Sequence, residues 1–393
     1  LHACKKDKEE KTDVSITGMS ASHAKAGTTI TISGSGFMAE AAKNTVSFNG
    51  KNAEVVKATT TQLDVKVPAN GTSGKIKVSN ANGTAESSTT FDFDPTADFT
   101  FTTDANVLPG ETRLNLVSTS LSASKVKWIL HLPTPVGAYD TNTFSWLIRK
   151  TGPLTITLIA YSGEKTDTLI RDVQVNTDNS LLGHYQLNGD GADDLNQANA
   201  QKVNAVSTTD RWNIPNGAVE FNGINAYLKL PKSLIKNAGS AISVSLWYKC
   251  DDPARAGAIL GYQNTDVGGT PANFTPSLYI GTNKKMHAKF WFGTVPIIAT
   301  DDVNTNWHHM ALTGDANNQV LYVDGVSKGS IGNGVDILHD MLFNQMGAAY
   351  GGGVWPDIPA GWFYFKGKMD DLAFYKKKLT AEEVKAVYDS QKL

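Results

Sequence analysis

Cysteine is almost missing from this chain, with two residues, Cys4 and Cys250, in 393. In AISVSLWYKC the side chains of Ile242, Val244, Leu246, Tyr248 and Cys250 share one strand face by the period of two. Cys250 therefore reads as a buried free thiol rather than half of a disulfide, which leaves Cys4 unpaired. Long apolar runs are missing too: none approaches the roughly 18 residues of a membrane-spanning helix. Charge of one sign is not in excess, since Lys+Arg 36 against Asp+Glu 38 gives a net charge of -2. No basic stripe interleaves with aromatics, so neither nucleic acid nor an anionic membrane surface is an evident partner. Among catalytic signatures, phosphate loops and Cys-x-x-Cys are both absent.

What is present is Thr, Ser, Asn and Gly in quantity with few helical stretches, the composition of a β-rich, extracytoplasmic protein. At roughly 150 residues per domain the length allows two or three domains. The opening LHACKKDKEEKTD resembles the lipobox of bacterial lipoproteins. That resemblance implies that Leu1 to Ala3 are a signal-peptide remnant and that Cys4 carries the lipid. Lys5 to Asp13 is almost entirely charged and cannot bury apolar area, so residues 1–13 form an anchor and tether. Fully extended, Lys5 to Asp13 reaches about 30 Å at roughly 3.3 Å per residue. Its charges resemble the signal by which Bacteroidetes-type bacteria export lipoproteins to the outer face of the outer membrane.

From Val14 short strands alternate with Gly and Asn. In GTTITISGSGF, Ile30 and Ile32 alternate with polar residues before Gly34 and Gly36 break the strand, and Asn49-Gly50 in VSFNGKNAEVV marks a hairpin turn. The order GSGF, VSFNG, LDVKVP, GKIKVSNANG resembles the IPT/TIG family, which implies an immunoglobulin-like sandwich over 14–94 acting as spacer or interaction module. A second unit, 95–177, runs from ADFTF through KVKWIL to TGPLTITLIAYSGEKTDTLIRDVQV, where Leu154, Ile156, Leu158 and Ala160 alternate with outward residues. It resembles PKD-type immunoglobulin-like domains, although ILHLPTP replaces their usual Gly- and Asp-rich turn. Trp128 is expected as core packing.

Residues 178–393 form the largest unit. LLGHYQLNGDGADDLNQANA, GAVEFNGINAYLKLP, AISVSLWYKCDD, TNWHHMALTGDANNQVLYVDGVSKGS and FKGKMDDLAFYKKKLTAEEV resemble, in that order, the laminin-G-like, concanavalin A-like jelly rolls. The expected fold is thus all-β: two immunoglobulin-like β-sandwiches followed by a concanavalin A-like jelly-roll sandwich. Asp324-Gly325 suits a type I′ hairpin, and Thr380 with Glu383 makes a capping box before a closing helix.

Some concanavalin-like proteins hydrolyse glycosides with two carboxylates on one strand face. No strand of 178–393 carries Glu or Asp at the alternating positions this demands, as in E-x-D-x-(x)-E. The adjacent pairs Asp193-Asp194, Asp251-Asp252, Asp301-Asp302 and Asp370-Asp371 would point to opposite sides if extended, and His308-His309 fails as a zinc pair for the same reason. The protein is therefore expected not to be an enzyme. In KMDDLAFY, alternation sets Asp370 on the face of Leu372 and Phe374, and a carboxylate turned into a core must be paired, protonated or ligated. The family resemblance implies a calcium ion between this strand and the loop GDGADDLNQANA, with Asp194, Asn199 and Asp370 as ligands. The alternative is that Asp370 caps backbone amides.

In GAAYGGGVWPDIPAGWFYF, Tyr350, Trp355 and Trp362 stand among Gly and Pro residues that forbid a regular sheet, so some of these rings are expected on a long surface loop. They are the candidate ligand-binding rings, unless they plug the end of the sandwich. The reading is a surface-exposed outer-membrane lipoprotein whose lectin-like domain captures glycan or protein without chemistry. A structural accessory subunit of an outer-membrane transporter or assembly complex is the alternative, ahead of a glycoside hydrolase.

Overall fold

The computed structural model describes residues 12–105, 107–131, 140–195, 197–290, 295–335, 340–353 and 355–392. Cys4 and the tether up to Lys11 lie outside the described residues. The fold is all-β, with one α-helix, Ala381–Gln391, among the described residues. By its internal contacts the chain divides into two compact units: residues up to 103 with 114–146 and 153–174, and residues 104–113 and 147–152 with 175 onward.

The first unit opens with an immunoglobulin-like sandwich. Ser15–Met19, Thr29–Ser35, Gln62–Lys66 and Lys51–Ala58 are hydrogen-bonded in that order and continue through Thr45–Phe48, Gly74–Asn80, Gly83–Asp94 and His23–Lys25. The Asn49-Gly50 turn forms as its sequence dictates: both residues have positive φ, 46° and 84°, and Phe48 pairs with Lys51 across it. Ile30, Ile32, Phe48, Phe91 and Phe93 are buried, and the three phenylalanine rings meet edge to face at 4.9 to 5.9 Å. A second sandwich follows, from two three-stranded sheets: Phe99–Ala105, Thr112–Ser118 and Thr143–Ile148 in one, Lys125–Leu130, Gly152–Ser162 and Lys165–Val175 in the other. Trp128 is fully buried there, edge-on to Phe99 at 5.3 Å, and its indole N–H donates to the Thr141 carbonyl at 2.7 Å.

The second unit is a two-sheet jelly roll. One sheet orders Val206–Thr208, Ala218–Asn222, Lys366–Tyr375, Ile242–Cys250, Trp307–Gly314, Gln319–Val323 and Val326–Ile331. The facing sheet orders Gln201–Val203, Tyr227–Lys229, Phe343–Met346, Gly257–Gln263, Phe274–Ile280, Lys285–Ala288 and Ile297–Asp302. Ile242, Val244, Leu246, Tyr248 and Cys250 all join the core between them, and burial pushes the Cys250 thiol up to about 11. Asp324 and Gly325 turn with φ of 50° and 74°. The capping box is complete: the Glu383 N–H donates to the Thr380 hydroxyl at 3.2 Å, and the Thr380 N–H to the Glu383 carboxylate at 3.0 Å.

Two expectations drawn from alternation are corrected. Asp370 does not share a face with Leu372 and Phe374, because a β-bulge interrupts the pairing of Lys366–Tyr375 with Ile242–Cys250, and Asp371 takes φ of 46° there. The extra residue resets the parity. Met369, Leu372 and Phe374 enter the core, while Asp370 pairs with Trp247 on the side covered by the helix, where Trp247 stacks on Tyr388 at 5.8 Å. The same bulge lets Asp370 and Asp371 both accept hydrogen bonds from Arg211, so this adjacent pair does not diverge. The Gly/Pro-rich aromatic stretch, for its part, does form a regular ladder: Ala348–Gly351 pairs with Gly361–Tyr364, with Pro356 and Pro359 confined to the connection.

Candidate ligand-binding cleft

The hairpin Ala348–Gly351/Gly361–Tyr364 sorts the aromatic residues by strand parity. Phe363 turns to a buried cluster with Ala258, Tyr279, Ala349 and Trp355. Trp362 and Tyr364, on either side of it, line an open cleft of about 760 Å³ together with Ile224, Arg255, Thr282 and Asp357, and Phe363 also contributes to its wall. These residues come from one hairpin strand and from separate connections of one domain, so the cleft exists only once the jelly roll is folded.

Trp362 is held on two sides. Its indole N–H donates to the Gly269 carbonyl at 2.7 Å, and Tyr350, its partner across the ladder, meets it edge-on at 5.5 Å. Phe274 in turn meets Tyr350 at 5.0 Å, so Tyr350 braces Trp362 and is not part of the lining. Trp355 corrects the expectation of an outward ring, because it is 5% exposed and packs edge-on to Tyr279 at 6.3 Å. Of the three rings singled out in the sequence, Trp362 alone lines the cleft. Arg255, Thr282, Asp357 and Tyr364 escaped notice because no spacing joins them. Arg255 and Asp357 had one signal, position in the turn DDPAR and between the two prolines of WPDIP.

Chemically the cleft combines ring faces, a guanidinium, a hydroxyl and a carboxylate, a set suited to sugar rings, whose apolar C–H faces stack on aromatics while hydroxyls reach polar groups. Asp357 is the one carboxylate among the described lining residues, whereas glycoside hydrolysis in its common form uses two.

The residues expected to hold calcium are engaged otherwise. Asp194 Oδ2 accepts from His184 Nδ1 at 2.8 Å, Gln186 Nε2 at 2.7 Å and Arg149 Nη1 at 3.1 Å. Against the upward push of burial, His184, Arg149 and Gln186 hold this carboxyl below its ordinary range. Asn199 Oδ1 accepts the Asp193 N–H at 3.0 Å, and Asp370 is bound by Arg211. Calcium needs six to eight oxygens turned to one point, and no group of three or more His, Cys, Asp or Glu able to hold a metal occurs among the described residues. With a cation already beside each carboxylate, these residues do not fit a calcium ion. Thermal unfolding curves with calcium and with a chelator should therefore coincide; a lower transition in chelator would restore the metal.

Comparison with known proteins agrees with this architecture. Residues 222–385 match the family model described as the concanavalin A-like lectin/glucanases superfamily, and residues 14–93 match the IPT/TIG domain. The chain thus carries an IPT/TIG domain and, toward its C-terminus, a concanavalin A-like domain. Among solved structures it is similar to domain 4 of AbnA, an extracellular arabinanase from Geobacillus stearothermophilus, in complex with arabinotriose, at 17% identity over 53% of this chain and 98% of that one, with a TM-score of 0.38. It is similar also to Trypanosoma rangeli sialidase, at 13% identity over 93% of this chain and 67% of that one, with a TM-score of 0.41. No curated protein matches the sequence.

Proposed function

We propose that the protein is a non-catalytic glycan-binding protein that captures sugar chains in the cleft lined by Trp362 and Arg255, with its immunoglobulin-like sandwiches serving as spacers. The observation that carries this reading is the pre-set aromatic face of Trp362 beside polar groups of both charges in one open cleft. Display on the outer face of an outer membrane, through a lipid on Cys4, belongs to the same reading and rests on residues 1–13 alone. Among the described residues no helix is long and apolar enough to cross a membrane.

A glycan array probed with the full chain, beside a pull-down from detergent-solubilised membranes, tests the reading. Binding to a defined group of oligosaccharides, without release of reducing sugar from them, is expected. A stoichiometric membrane-protein complex with a blank array would replace capture with an accessory-subunit role. Reducing sugar released by the purified chain would make it a hydrolase.

A further inference from the structure

Asp357 has φ of 60°, a left-handed conformation uncommon outside glycine, and its surroundings fix it there. Its carbonyl accepts the Thr282 N–H at 2.8 Å, and the Tyr279 hydroxyl donates to the preceding Pro356 carbonyl at 3.0 Å. Its carboxylate is set by a relay whose direction can be read off. Asn283 Nδ2 donates to Asp357 Oδ2 at 2.9 Å, so Asn283 Oδ1 faces the other way. There it accepts the Lys285 N–H at 3.0 Å and His287 Nε2–H at 3.1 Å. His287 is fully buried and stacked on Tyr279 at 4.6 Å. Burial, opposed by the Asp357 charge, pushes its imidazole down to about 4, so it is neutral with the proton on Nε2. The relay occupies Oδ2, while no protein donor among the described residues reaches Oδ1.

We infer that Asp357 is the anchor that selects neutral, hydroxyl-rich sugars over acidic ones, accepting sugar hydroxyls at Oδ1 while Trp362 and Tyr364 take the ring face. The inference rests on the glycan-binding reading and names the ligand class of the same cleft. Arg255 does not reverse the preference. Arg255 and Asp357 are both exposed, so solvent screens both charges alike. One Arg255 donor is already spent on the Gly223 carbonyl, whereas the Asp357 carboxylate is held by Asn283 with one oxygen outside the relay, where a sugar hydroxyl gains an acceptor and a sugar carboxylate meets repulsion.

Calorimetry of the full chain with pairs of oligosaccharides of equal length, differing only in whether C6 is a hydroxymethyl or a carboxylate, tests this. The neutral member should bind at least about tenfold tighter. Asp357→Asn should bring the two members of a pair to nearly equal affinity, and Asn283→Ala, which frees the carboxylate to rotate, should narrow the ratio and lower the melting temperature, because the buried His287 Nε2–H loses its acceptor. Should Asp357→Asn fail to fold, the Asn283→Ala ratio decides. Equal or tighter binding of the acidic member by the wild type, or a ratio untouched in a folded variant, overturns the inference and leaves glycan binding standing. If the wild type binds neither member of any pair, glycan binding itself fails.

Discussion

Replacing Arg211 with alanine is expected to lower the stability of the C-terminal unit by about 3–5 kcal/mol, the usual cost of stripping one partner from a buried ion pair. The Arg211 side chain is fully buried. It donates to Asp370 and Asp371 through its two terminal nitrogens and to the Gln391 carbonyl at the end of the helix through Nε, at 3.1 Å. Its guanidinium lies 3.5 Å from the centre of the Trp212 ring and 4.7 Å from that of Trp247. Without it the Asp370–Asp371 pair lies under the helix with no counter-charge. Chemical denaturation of Arg211→Ala, followed by tryptophan fluorescence, measures the loss; native stability in this variant would deny the pair its structural role.

The same site sets a pH dependence. Two carboxyl groups share one guanidinium, which can balance the charge of only one of them. Burial first, then Asp371, pushes Asp370 up to about 8, with Arg211 pulling the other way. A folded-state pKa above the unfolded value of 3.8 means a contribution fully present below pH 3.8 and lost as pH rises through about 8. Stability of this unit should therefore fall as pH rises from about 4 to about 8 and level off above that, and Asp370→Asn should flatten that slope.

Trp355→Ala is expected to cost about 3–5 kcal/mol, the range for truncating a buried tryptophan. Its ring fills the cluster beneath the hairpin with Tyr279 and Phe363, and its indole N–H has no hydrogen-bond partner. Phenylalanine at this position keeps much of the apolar contact and removes the unpaired donor, so Trp355→Phe should cost far less. A stability loss for Trp355→Ala under about 1 kcal/mol would show that the ring is not core.

Local signals were legible in the sequence. The turns at Asn49-Gly50 and Asp324-Gly325, the Thr380–Glu383 cap and the inward face of Ile242–Cys250 each depend on residues within a few positions of one another. The setting of Asp370 was not legible, because a bulge changes strand parity and its partner Arg211 is 159 positions away, in a loop without periodicity. The cleft was half legible: Gly and Pro drew attention to Trp362, but its neighbours Arg255 and Asp357 meet it only through the sheet topology. Trp355 stands in the same stretch as Trp362, and composition could not separate a buried ring from a lining one.

The most direct measurement is calorimetric titration of the best array oligosaccharide into the wild type and into Trp362→Ala. Capture on the Trp362 face predicts a loss of about 2 kcal/mol, roughly thirtyfold in Kd, with the melting temperature close to that of the wild type. Wild-type affinity in a folded Trp362→Ala variant would contradict it.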